Sequence, residues 1–172
     1  TGNGSCAGGT SGANTIVLPA GTITFTSADN NWYGPNALPP VWSTITIEGN
    51  PSTGSVLTAT HVGDPTPTAA NAFRFFYVSG GLAGELPAGN LTLHNLSLVG
   101  GVARGGNAGH QGGGGAGMGG AIFNQGTLTL SAVTLRANVV RGGDGGTGGP
   151  GTNGGGGGMG QDASIGGGGF GG

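Results

Sequence analysis

Lysine is absent from this 172-residue sequence, and charge of either sign is scarce: four arginines and six carboxylates make up 6% of it, for a net charge of −2. Arg74, Arg104, Arg136 and Arg141 are too few and too scattered to build a basic patch, so nucleic acid and anionic membrane are poor partners. Cysteine occurs once, at Cys6, which excludes an intrachain disulfide. Without a Cys/His cluster there is no zinc pattern either, and neither a metal nor a cofactor is expected. Paired carboxylates are also missing. A glycan lyase needs an Arg or Lys base beside carboxylates that hold Ca²⁺, and a glycosidase needs two or three carboxylates at catalytic separation. Here no two acids lie close in sequence, and Glu48 and Glu85, which could meet across strands, lack a partner base. No catalytic residue is assigned, and the chain is expected not to be an enzyme. His61 and His110 fall in loops and His94 on an outward strand position, three isolated histidines without ligand spacing. No apolar run approaches the length of a membrane span, and there is no signal peptide. The chain starts at Thr1 without Met and stops inside a glycine run, which reads as a piece processed or excised from something longer.

Glycine is what the sequence has in excess, 46 residues of it, with 12 between Gly100 and Gly120 and 19 between Gly142 and Gly172. No Gly-Lys-Ser/Thr follows these runs, so they do not cradle phosphate, and Gly142 to Gly160 lacks the Asp-x-apolar ending of a Ca²⁺-binding nonapeptide repeat. Two readings stand for them: flexible linkers, or polyproline-II-like glycine strands packed side by side and joined by backbone hydrogen bonds.

Outside the glycine runs the pattern has period two. Asn90-Leu91-Thr92-Leu93-His94-Asn95-Leu96-Ser97-Leu98 and Thr127-Leu128-Thr129-Leu130-Ser131-Ala132-Val133-Thr134-Leu135 match at a constant offset of 37. Weaker copies occur at Thr15 to Leu18, Thr22 to Phe25 and Thr44 to Asn50. Such short alternating runs, separated by corners too short for hairpins and with no helical periodicity anywhere, predict an all-β chain wound as a solenoid. Ile16, Leu18, Ile23, Phe25, Ile45, Ile47, Phe73, Phe75, Leu91, Leu93, Leu96, Leu98, Ile122, Leu128, Leu130, Val133 and Leu135 are expected inside, with Asn50, Asn124 and Asn138 at corners. The expected division is a lead-in over 1–14, a coiled body over 15–141 with a glycine-rich insertion at 100–120, and a glycine-rich segment over 142–172 inserted before further coils.

Gly119-Gly120-Ala121-Ile122 resembles the Gly-Gly-Ala-Ile half of the repeat in polymorphic outer-membrane proteins and related bacterial surface proteins. The other half, Phe-x-x-Asn, is approached by Leu135-Arg136-Ala137-Asn138, with Leu in place of Phe. The wider order, Leu-Pro-Ala-Gly, then Ile-Thr-Ile-Glu-Gly-Asn, then Gly-Thr-Leu-Thr-Leu coils broken by glycine runs, is similar to secreted or surface proteins of the pectate-lyase-like superfamily. The resemblance implies a right-handed parallel β-helix; the glycine runs, read from the offset as loops extruded at its corners, are longer than is usual for it. It also implies export to the bacterial cell surface or medium and an adhesive or passenger role.

A structural or adhesive function with self-association into a filament or matrix, or binding to other surface components, is therefore expected. Two alternatives accompany it. Trp32, Tyr33 and Trp42 gather on one loop, either as a sugar-stacking surface for polysaccharide binding or cleavage or as a cover over an open end of the coil. The pairs Thr22/Thr24, Thr44/Thr46 and Thr127/Thr129 suggest ice binding if they form a ladder on one face.

Overall fold

The computed structural model describes residues 12–60, 62, 72–83, 85–110, 112–147 and 155–163. Cys6, His61, Ile165, Phe170 and most of the 1–14 lead-in lie outside the described residues. Ten strands are described: β1 (Asn14–Val17), β2 (Gly21–Phe25), β3 (Thr44–Glu48), β4 (Ser55–Ala59), β5 (Phe76–Val78), β6 (Asn90–Val99), β7 (Val102–Arg104), β8 (Ile122–Asn124), β9 (Thr127–Arg136) and β10 (Val139–Arg141).

Simple alternation through β6 would turn Leu91 and Leu93 to one side and Leu96 and Leu98 to the other. Asn95 resets the pleat. Its backbone is left-handed, at φ 53°, and all four leucines are buried on the same side. Ala132, at φ 52°, makes the same correction in β9. β6 and β9 then pair in parallel with Leu91 opposite Leu128, Leu93 opposite Leu130, Leu96 opposite Val133 and Leu98 opposite Leu135, so the sequence offset is the sheet register. Gly49 follows β3 at this bend, and a Cβ there would overlap the Asn95 carbonyl.

The ladders of named strands are all parallel. In the main sheet β3 pairs with the first half of β6 and β4 with the second half, giving the path β1-β3-β6-β4-β2, with β9 joined to β6 off that path. The right-handed β-helix expected from the repeat is therefore corrected: the chain is all-β, but the five-strand path is a parallel half-barrel and not a multi-rung solenoid. The reason lies in β6 and β9, which run unbroken through the bend where two sides of a coil would separate, so two arms fuse into one curved sheet. Beyond it, among the described residues, the named strands form two-stranded ladders, β5 with β8 and β7 with β10.

The core packs Leu57, Leu91, Leu93, Leu96 and Leu98 of this sheet against Phe73, Phe75, Phe76 and Val78. The apolar run Phe73 to Val78, expected as a full-length strand, has its strand only at β5, yet residues on both of its sides are buried. Several residues expected inside are not enclosed. Ile16, Leu130 and Leu135 are 48%, 43% and 50% exposed, because among the described residues they belong to edge strands with no further strand to cover them.

Among the described residues the glycine runs are joined by backbone hydrogen bonds. Gly106 N–H donates to the Gly158 carbonyl, Gly115 to Gly106, Gly143 to Gly115, Gly146 to Gly112 and Gly157 to Gly113, at 2.8 to 3.0 Å. The described residues of 105–110, 112–117, 142–146 and 155–163 thus form one hydrogen-bonded layer outside any strand. Glycine is required by the close approach: a Cβ on Gly106 would overlap the Gln161 carbonyl.

Candidate functional site

The loop that carries the predicted aromatics is built around Asn36. This buried amide donates to the carbonyls of Trp32 and Gly34 at 2.8 and 2.7 Å and to Asn30 Oδ1 at 2.9 Å. Its two N–H groups, shared among these three acceptors, hold a turn in which Tyr33 takes φ 50° and Gly34 φ 104°, while its Oδ1 is buried with no hydrogen-bond partner among the described residues. The segment after it runs beside the core strand, with Ala37 N–H donating to Arg74 O and Val41 N–H to Tyr77 O.

The three predicted aromatics do not form one platform. Tyr33 is 4% exposed, and its ring packs on Tyr77 and Phe123 at centroid distances of 5.2 and 5.6 Å. Its hydroxyl donates to Glu85 Oε1 at 2.7 Å; this bond first, and burial second, hold the phenol above its usual value of 10.0. Trp32 is half-buried and stacks on Tyr77, 6.3 Å away with the planes 14° apart. With Asn30, Asn31 and Gln161 it lines an open groove of about 210 Å³. Trp42 stands elsewhere, 53% exposed, beside an apolar groove of about 230 Å³ formed with Ile16, Pro39, Pro40 and Ile45. A planar sugar face therefore has one ring available at the Trp32 groove, which amides line and beside which Asp29 Oδ2 accepts from Asn30 Nδ2 at 3.2 Å.

Under this loop lies Arg74, which the sequence placed only on a strand. It is buried, its Nη2 donates to the Tyr33 carbonyl, and its guanidinium sits 5.2 Å from the centre of the Phe123 ring. Burial lowers its pKa to about 10. The described carboxylates do not gather around it: Glu85 binds Tyr33, and Glu48 accepts from Asn95 Nδ2 at 2.7 Å. Among the described residues there is no cluster of three or more His, Cys, Asp or Glu side chains able to hold a metal, and no helix long and apolar enough to cross a membrane.

Two further surfaces follow from the register. On the convex side of the first arm, Thr15, Thr46, Thr92 and Thr129 occupy one rank across β1, β3, β6 and β9. Thr44, Asn90 and Thr127 form the rank two residues earlier. The Thr22/Thr24 pair lies on the other arm, against Val56 and Thr58. At the β9 edge, Ile122, Leu128, Leu130, Leu135, Ala137 and Val140 line an open groove of about 420 Å³. Exposed Leu130 and Leu135 give a conspicuous apolar edge that the hydrophobic pattern alone assigned to the interior. Asn138 does sit at a corner as expected: its Oδ1 accepts from Gly101 N–H at 2.8 Å and its Nδ2 donates to the Leu98 carbonyl at 3.0 Å. No family model, no curated protein and no solved structure matches this chain.

Proposed function

We propose that this chain is a non-enzymatic structural or adhesive protein of the bacterial cell surface or medium that associates with itself through its sheet edges. The observation that carries the reading is the β9 edge, whose Leu130 and Leu135 are about half exposed and whose only charged residue is Arg136 at its last position. Sheet edges are usually guarded by charge, Pro or a covering segment, because unpaired backbone groups beside apolar side chains recruit another strand. The scarcity of charge elsewhere leaves little repulsion against a neighbour. Export to the surface or medium, and the bacterial source, rest on the repeat resemblance alone.

The reading is tested by exposing pectin and alginate to the chain with and without Ca²⁺, while light scattering follows its size. The expected result is assembly without release of unsaturated oligosaccharides. Release that disappears in Arg74→Ala or Arg136→Ala overturns the non-enzymatic role. Polysaccharide binding has narrower support, a single groove at Trp32.

The threonine ranks of the first arm, which include two of the three expected pairs but not Thr22/Thr24, support a second reading, ice binding. Four hydroxyl and methyl groups repeat at about 4.8 Å across the strands, next to a partial second rank, on one face of the sheet. Inhibition of ice recrystallisation, lost in Thr92→Tyr, supports it; crystal growth unchanged by the wild-type chain rejects it.

A further inference from the structure

The β9 edge and the edge made by β1 and β2 carry the same ranks at opposite ends of one register. Through the first arm Ile16 stands in line with Ile47, Leu93 and Leu130. Through the second, Ile23 stands in line with Leu57, Leu98 and Leu135. Among the described residues the apolar columns run out uncovered at both ends, with Ile16 and Leu130 nearly equal in exposure. Neither β1 nor β2 contains a charged residue. A parallel ladder is directional: the backbone groups left open along β9 match those left open along β1 and β2 when all strands point the same way. One chain cannot bring its own two edges together, but two chains can.

Resting on the self-association proposed above, we infer that the β9 edge of one copy receives β1 and β2 of a second copy as its next two strands. Ile16 then lies on Leu130, and Ile23 on Leu135. The bend at Ala132 faces the Pro19-containing corner between β1 and β2, much as the bend at Asn95 faces the corner between β3 and β4 within one chain. Because each copy uses two different edges, the contact is heterologous, and addition continues in one direction as an open filament or closes as a ring.

Sedimentation velocity on the chain and on two edge variants, Ile16→Glu and Leu130→Glu, tests the register. The wild type is expected to form species larger than a dimer that grow with concentration. Each variant alone is expected to be monomeric, since a buried unpaired carboxylate blocks one edge. Mixed one to one, they should recover a dimer and stop there, because the open β9 edge of I16E takes the open β1 edge of L130E and both outer edges carry Glu. Circular dichroism checks that each variant folds, and Leu135→Glu replaces L130E should that protein fail to fold. A dimer of I16E alone means that two β9 edges pair, and overturns the inference. Assembly that survives every variant overturns this register but leaves self-association standing, whereas a wild type that stays monomeric at millimolar concentration removes both.

Discussion

Single residues decide how this chain spends its few polar groups. Left-handed backbone at Asn95 and Ala132 keeps four apolar columns on one side of a strand whose plain alternation would split them. Asn suits that conformation and Ala does not, so the residue type at 132 gave no signal of the bend. At Tyr33, a phenol that composition offers as a sugar platform is turned inward by a left-handed turn and anchored to Glu85. Tyr77 is held above its usual 10.0 as well, chiefly by burial, and the chain has no third tyrosine. Both phenols stay protonated in the fold beyond the pH at which an unfolded phenol ionises. Their contribution to stability is therefore complete below about pH 10 and lost as pH rises through the raised values. Phenolate absorbance during an alkaline titration should lag behind that of free tyrosine and rise together with loss of β-structure. A rise at the free-tyrosine value with structure intact contradicts the burial of the pair.

Among the elements, β6 and β9 have nearly the same pattern and opposite surroundings. β6 is paired on both sides, and Leu93 is fully buried; β9 pairs with β6 alone, and Leu130 is 43% exposed. Leu93→Ala should cost about 2 to 5 kcal/mol through the cavity it leaves. Leu130→Ala, where solvent already reaches the side chain, should cost well under about 2 kcal/mol in the monomer. Chemical denaturation of both variants at low concentration checks the contrast, and equal losses would mean that β9 is covered in solution. The strand periodicity, the corner position of Asn138 and the pairing offset of β6 and β9 were legible from the residues, because each depends on neighbours along the chain or on a repeated copy. Which strand ends the sheet was not, since Leu128 to Leu135 reads the same whether or not another strand lies beyond it.

At the scale of the molecule, charge contributes little. The exposed Arg141–Asp144 pair is 3.7 Å apart, and the buried Arg74 is held by a ring and a carbonyl with no carboxylate. Exposed pairs of that kind are worth about 0 to 1 kcal/mol and are screened by salt. Thermal stability should therefore change by no more than about 4 °C between low and molar sodium chloride. A larger fall would reveal an electrostatic contribution that the described residues do not account for. By itself the sequence determined that the chain is all-β, which residues alternate and in what register the two long copies pair, because period-two alternation and a constant offset are properties of the chain alone. Tertiary structure decided that the arms fuse into a parallel half-barrel, that the glycine runs pack into a layer, and that Tyr33 is buried while Leu130 is bare. Each of these depends on what stands on the far side of a residue, and hydrophobicity along a strand does not carry that information.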